Sequence, residues 1–139
     1  MIRFLIASPH SGAGKTVITL AIMRLLRKRG VKYQPAKSGP DYIDPKFHEV
    51  ASGESSVNLD AWAMRKEEIE NLAGSGNLVV EGAMGLFDGA GVSGVGSSAD
   101  LAKILSLPVI LVIDSGKTAH SIAAIVQGFK SFDNHVTVA

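Results

Sequence analysis

The chain has 139 residues, 14 basic against 13 acidic side chains, a formal net charge of +1, 46% hydrophobic residues and no cysteine. One core and one domain fit this length, and the balanced charge excludes a molecule drawn as a whole to nucleic acid or an anionic membrane. Without cysteine the chain has no thiol nucleophile, and without a membrane-length apolar run or a signal-peptide pattern in MIRFLIASPH a cytoplasmic protein is expected.

Ile2–Ser8 is a short apolar run ending in a glycine-bearing turn, which predicts a buried strand. Val17–Arg29 follows with helical spacing through Ile18, Ala21, Ile22, Leu25 and Leu26. Arg24, Arg27, Lys28 and Arg29 suit the negative end of that helix's dipole, and Gly30 suits its left-handed cap. Val31–Ala36 reads as a second strand, 64–73 as a helix, Asn77–Glu81 as a third strand and 98–106 as a helix. Pro108–Asp114 (PVILVID) is apolar without alternation, as a central parallel strand should be, and 118–131 returns to helical spacing. His135–Ala139 (HVTVA) reads as a last strand that stops before any covering helix, so a domain cut short at its C-terminus is expected. The alternation predicts an α/β domain with a doubly wound, mostly parallel sheet, its 15 glycines serving strand-to-helix turns.

Three segments carry chemistry. Ser8-Pro9-His10-Ser11-Gly12-Ala13-Gly14-Lys15-Thr16 lies between the first strand and the first helix. There the amides of a tight loop and the helix N-terminus can meet phosphate oxygens, Lys15 adds a full charge, and Thr16 can offer a hydroxyl to Mg²⁺. Pro9 stands where the usual spacing has glycine, while SGAGKT is intact. Ser11, Gly12, Ala13, Gly14, Lys15 and Thr16 are thus the expected contacts to ATP. The second segment, Lys37-Ser38-Gly39-Pro40-Asp41-Tyr42-Ile43-Asp44-Pro45, follows a strand and opens onto the same crevice, with a cation and two carboxylates suited to Mg·ATP. As isolated dipeptides, GPD and DP are also ordinary turn formers. In the third, Glu81-Gly82-Ala83-Met84-Gly85-Leu86-Phe87-Asp88-Gly89, Glu81 ends a strand where a carboxylate can reach the metal. Asp88 sits in a glycine-rich loop where it can bind metal, orient substrate or make a turn, and 89–98 is either a lid or a plain connection.

His10 reads as a phosphate contact or a solvent-facing loop residue, and His48, His120 and His135 as structural or surface residues. Trp62 and Met64 suit packing, with the aromatic also able to line a large substrate, and Asp114 suits a cap.

SGAGKT, KSGPDYIDPKFH, NLDAW, EGAMGLFDG and PVILVID, in this order and across essentially the whole chain, resemble the N-terminal region of the cobyrinic acid a,c-diamide synthase family, its hydrogenobyrinic acid branch included. The resemblance implies a P-loop NTPase sheet of the dethiobiotin-synthetase kind. It also implies an ATP- and Mg²⁺-dependent, glutamine-hydrolysing amidoligase of cobalamin biosynthesis. Such an enzyme amidates the a and c carboxylates of a corrinoid through an acyl phosphate. It implies Lys15, Lys37, Asp41 and Asp88 as catalytic, Thr16, Asp41 and Glu81 as metal ligands, and Tyr42, Asp44 and Asp88 toward substrate. Which of the three aspartates meets metal and which meets substrate stays open. On the same resemblance, residues 1–139 are an incomplete synthetase domain whose ammonia comes from a cysteine-bearing glutaminase domain outside it, so the chain alone is expected to be inactive or weakly active. A homodimer is a compatible assembly. The alternatives are a dethiobiotin-synthetase-like ligase, with a smaller acceptor site, and a partitioning-type nucleotide switch, whose loop would carry a lysine where His10 stands.

Overall fold

A computed structural model describes residues 1–139. The chain runs through β1 (Arg3–Ala7), α1 (Lys15–Lys28), β2 (Gln34–Ser38), α2 (Asp44–Ser52) and β3 (Val57–Leu59). It continues through α3 (Lys66–Ala73), β4 (Leu78–Glu81), α4 (Ser98–Ile104), β5 (Val109–Leu111) and α5 (Ile122–Phe132). The strands form a five-stranded sheet in the order β3-β2-β4-β1-β5, and every neighbouring pair is parallel. The expected parallel α/β sheet is present.

Successive strand side chains point to opposite faces, and this sorts the core into two layers. Leu5 and Ala7 of β1, Ala36 of β2, and Leu78 and Val80 of β4 pack with Ile69 and Ala73 of α3 and with Leu101 of α4. Ile6 of β1 and Val79 of β4 face the other way, onto Met23 of α1 and Tyr33. Each buried Leu, Ile, Val or Met among them contributes about 1.5–3 kcal/mol. The same alternation turns Lys37 and Glu81 toward α1 and α2, and the parallel register of β2 with β4 sets these two residues directly opposite each other.

Several expected boundaries move. The second strand is Gln34–Ser38, not Val31–Ala36: Val31 N still donates to Leu26 O (3.1 Å) in closing α1, and the ladder starts at Gln34 opposite Leu78. α2 and β3 were not expected. In α2 only Pro45, His48 and Ser52 are buried, so no apolar period marks the helix, and β3 has three residues. PVILVID is not a central strand. Its three-residue β5 ladders with β1 on one side and on the other meets Val138 by a single bridge. Its apolar run reflects cover on both faces, since Val109 enters one core layer while Ile110 and Val112 pack against the other. HVTVA forms only that bridge, with Val109 N donating to Thr137 O (2.8 Å) and Ala139 N to Val109 O (2.9 Å). α1 begins two residues earlier than its apolar spacing suggests, at Lys15, and α5 begins at Ile122 because 118–121 form turns.

Candidate functional site

The Ser8–Thr16 turn joins β1 to α1. Gly12 and Gly14 take φ of +84° and +86°, a left-handed backbone that favours glycine, and no heavy atom lies within 4 Å of where a Cβ would stand at either. Gly14 caps α1 with no side-chain hydrogen bond, and the first turn of α1 has no acidic residue. The free N–H groups there, with the positive end of the helix dipole, suit an anion. Pro9 leaves the turn intact: Leu86 N donates to Ser8 O (2.9 Å), and a Cβ on Gly85 would stand 2.5 Å from Pro9 O, so this approach requires glycine at 85. His10 is exposed and its Nδ1 pairs with Ser11 O (2.7 Å), which leaves it at the rim.

Beside this turn lies a buried ionic cluster. Lys15, at the first position of α1, is 8% exposed, Lys37 4% and Glu81 0%. Thr16 Oγ1 donates to Glu81 Oε1 (2.5 Å), which also faces Lys37 Nζ at 3.4 Å. Lys37 further pairs with Asp44 in a short contact and with Asp41 Oδ2 at 3.6 Å. His48 Nε2 meets Glu81 Oε2 at 2.7 Å. Asp41 Oδ1 accepts from Ile43 N (2.8 Å) and Asp44 N (3.0 Å), which holds the entry to α2, and Asn58 Nδ2 ties Asp41 O to β3 (2.9 Å). Asn58 Oδ1 is buried without a partner.

The electrostatics follow from these contacts. Burial pulls the Lys15 ammonium below its ordinary pKa and Lys37 pulls it further, with the carboxylates opposing. Burial also pulls on Lys37, but its hydrogen bond to Asp44 and the charges of Glu81, Asp44 and Asp41 outweigh it and leave it above the ordinary value. Burial pushes Glu81 up, yet His48, Lys37 and Thr16 together hold it below the usual carboxylate range. Asp41 is likewise raised by burial but lowered more by the two backbone amides and Lys37. The ammonium groups of Lys15 and Lys37 face three carboxylates, Asp41, Asp44 and Glu81, and a bound cation would offset the surplus of negative charge.

A magnesium nucleotide fits this donor set. The hydroxyl of Thr16 and the carboxylate of Glu81 are hard oxygen donors already in contact, and the space over Gly12 and Gly14 is open. The chain has no group of three or more His, Cys, Asp or Glu arranged to hold a metal.

The expected site residues divide into three places. Ser11 to Thr16, Lys37, Asp41, Asp44 and Glu81 lie in the turn and the cluster. Asp88 is hydrogen-bonded to none of these; its Oδ2 accepts from Gly85 N (2.8 Å), and a Cβ on Gly85 would stand 2.5 Å from both this oxygen and Pro9 O, which puts the carboxylate beside the phosphate turn. It lines a cleft of about 300 Å³ with Gly39, Asp60, Trp62, Met84 and Gly96. Tyr42 is 87% exposed and touches neither cluster nor cleft. Trp62 borders the cleft, Met64 packs on the core, and Asp114 accepts from Gly116 N (2.8 Å) as a turn-forming residue. Residues 89–98 fold back on themselves through an Ala90–Val95 bridge and are fastened by Gly96 N donating to Asp100 Oδ2 (2.8 Å). His48, expected to be a structural or surface residue, is fully buried on Glu81. The signal for it was the Asp44-to-His48 spacing, which sets both on one side of a helix once 44–52 is known to be helical.

A parallel sheet whose first turn is shaped for phosphate, beside a buried Lys-Glu pair, defines a nucleotide-binding domain of the P-loop class. Residues 4–138 match the CobQ/CobB/MinD/ParA nucleotide binding domain family, and the chain belongs to it. Among curated relatives it is similar to hydrogenobyrinate a,c-diamide synthase of Brucella anthropi, 54% identical over 98% of this chain and 32% of that protein. The protein of the same name from Rhizobium meliloti is 50% identical over 97% of this chain and 32% of its own length. The Mesorhizobium japonicum protein of that name is 46% identical with the same shares. The chain thus spans about a third of the length of the relatives it matches.

Proposed function

We propose that this domain binds Mg·ATP and activates the a and c side-chain carboxylates of hydrogenobyrinic acid for amidation, in cobalamin biosynthesis. The observation that carries the reading is the buried Lys37–Glu81 pair meeting Thr16 at the mouth of the phosphate turn. The relatives' shared name favours the cobalt-free acid over cobyrinic acid as acceptor.

In this reading a carboxylate oxygen of the corrinoid attacks the γ-phosphorus of ATP, the bond to the β,γ-bridging oxygen breaks, and ADP leaves. Ammonia then attacks the carbonyl carbon of the acyl phosphate, inorganic phosphate leaves, and the nitrogen gives up a proton. A carboxylate needs no general base for the first step. The obstacle is repulsion between two anions, which positioning and electrostatics must offset. Lys15 and Lys37 do this from within the protein. Mg²⁺, when bound, would supply further positive charge at the phosphate oxygens, with Thr16, Glu81 and Asp41 as the residues that would hold it. Asp44 keeps Lys37 charged, Asp88 faces the acceptor from the cleft, and Tyr42, exposed between Asp41 and Asp44, would meet the acceptor from outside that cleft. The ammonia comes from a glutaminase domain outside these residues, since the chain has no cysteine to serve as nucleophile. No helix is long and apolar enough to cross a membrane, and the proposed setting is the cytoplasm.

Calorimetric titration of the chain with Mg·ATP tests the first half. Binding is expected, with Lys15→Ala weakening it about 10–100-fold through loss of a charge-assisted hydrogen bond. Repeating the titration with hydrogenobyrinic acid tests the second half. Affinity that rises with the acid supports the ligase; Mg·ATP binding indifferent to it points to a nucleotide switch instead.

A further inference from the structure

Glu81 has a histidine on one oxygen that nothing in the reaction above uses. The carboxylate is fully buried, and its two oxygens are treated differently. Oε1 meets Thr16 Oγ1 at 2.5 Å and Lys37 Nζ at 3.4 Å, on the side of the phosphate turn. Oε2 meets His48 Nε2 at 2.7 Å. Lys37 is shared among Asp41, Asp44 and Glu81, so its ammonium fixes charge rather than direction. His48 is better placed to fix direction. Its side chain is 0% exposed, its Nδ1 lies 3.2 Å from Ser56 Oγ, and its own carbonyl accepts from Ser52 Oγ at 2.7 Å. An ionised carboxylate only accepts, so Nε2 carries the proton; Nδ1 pairs with the Ser56 hydroxyl, which can donate to a neutral ring or accept from a charged one.

We propose that His48 is a positioning residue for Glu81: its Nε2–H pins Oε2 and so presents Oε1 to Thr16 and to the metal of the bound nucleotide. This rests on the reading of Glu81 as a Mg²⁺ ligand. A group that orients a ligating carboxylate commonly changes metal affinity about 10–100-fold when removed. The relay runs Ser56 to His48 to Glu81 and joins the loop ahead of β3 and α2 to the end of β4.

The test is the Mg²⁺ dependence of ATP affinity, measured by calorimetry for the wild-type chain, His48→Leu and His48→Gln, each also combined with Glu81→Gln. In the wild type Mg²⁺ should strengthen ATP binding. His48→Leu should raise the Mg²⁺ concentration needed about 10–100-fold while leaving metal-free ATP binding unchanged. His48→Gln, whose amide N–H₂ can reach Oε2, should recover most of the loss. With Glu81→Gln present, His48→Leu should add nothing, because both changes act on one interaction. If His48→Leu weakens metal-free and metal-assisted binding alike and His48→Gln is no better, or if the two losses simply add, the positioning role is overturned. A wild type whose ATP affinity ignores Mg²⁺ overturns the metal reading of Glu81 itself, whereas a normal wild type with an indifferent His48→Leu overturns only the role of His48. Should His48→Leu not fold, ¹⁵N spectra of the wild-type imidazole decide: a proton on Nε2 supports the positioning role, and an Nε2 without one overturns it.

Discussion

α2 and α5 show how little an apolar sequence says about where a helix is anchored. α5 (IAAIVQGFKSF) is the more apolar of the two, yet none of its residues is buried. Phe129 and Phe132 instead stack on Phe87 at 5.6 and 4.6 Å between centroids, around an apolar cavity of about 390 Å³. α2 (DPKFHEVAS) is mostly polar, with Phe47 and Val50 exposed, yet it packs against α1 and β2 and buries Pro45, His48 and Ser52. Its anchors are polar. Asp41 holds its start, Glu81 holds His48, and Arg27 of α1 reaches Val50 O (3.2 Å) near its end. A Cβ on Gly53 would stand 2.8 Å from the Arg27 guanidinium carbon, so the left-handed glycine that ends α2 also admits this contact. α2 is therefore held by directed hydrogen bonds, and α5 by the partly buried Phe87 and Phe129 and the exposed Phe132.

The largest difference should appear between a side chain inside the core layer that α5 covers and one at the outer edge of α5 itself. Ile69 is fully buried in the larger core layer, and Ile69→Ala should cost about 2–5 kcal/mol, the transfer loss plus the cavity left behind. Phe132 is 74% exposed, and Phe132→Ala should cost about 0.5–1.5 kcal/mol, the worth of one aromatic pair. Urea unfolding of both variants checks this. A Phe132→Ala loss as large as that of Ile69→Ala would mean that α5 carries as much of the stability as the core does.

The two helices also explain which parts of the site could be read from residues alone. Lys15 and Thr16 were legible because SGAGKT sits between a strand pattern and a helix pattern, and the structure puts both at the start of α1. Lys37 and Glu81 were legible singly, as polar residues at strand ends. Their pairing was not, because it depends on the register of β2 against β4, strands separated in sequence by α2, β3 and α3. His48 was hidden for a related reason. Its helix has no apolar period, so nothing placed it on the same side as Asp44. The misplaced centre of the sheet has the opposite origin: PVILVID is the most apolar strand, yet β4 and β1 hold the inner positions. Apolarity reported two covered faces, and strand order was never encoded in it.

Acid should act chiefly on the buried cluster, because Asp133 after α5 and Glu68 of α3, although also held below the ordinary carboxylate range, lie at the surface where such contacts are worth little. Glu81 and Asp41 are both held below the ordinary carboxylate range, so the unfolded chain takes up protons before the folded one does. Their contribution is in place above the ordinary values of 4.5 for Glu81 and 3.8 for Asp41, and is lost as pH falls through the lower folded values. Each unit of depression is worth about 1.4 kcal/mol. Lys37, raised above 10.5, gives a contribution that is complete below that pH and is lost only as pH climbs through its folded value. Stability measured from pH 6 down to about pH 3 should therefore fall in the wild type. The fall should be shallower in Glu81→Gln, which has no proton to gain there, and unchanged in Phe132→Ala. An identical slope in all three would remove Glu81 as a source of the acid response.

The smallest effect separates the two helix starts. Asp41 Oδ1 accepts from Ile43 N and Asp44 N, doing for α2 what a capping side chain does, although it stands ahead of the Ile43 position that precedes the helix. Ser121, ahead of α5, makes no such bond. Asp41→Ala should cost about 1 kcal/mol, the usual worth of a cap, while Ser121→Ala should be close to neutral. Asp41→Asn keeps the acceptor but removes the charge facing Lys37 at 3.6 Å, and it should recover most of the stability. Thermal unfolding of the three variants measures cap and charge apart. If Asp41→Asn is as unstable as Asp41→Ala, the ion pair outweighs the cap. If both match the wild type, α2 is held by His48 and Arg27 alone, and Asp41 is free to serve substrate or metal.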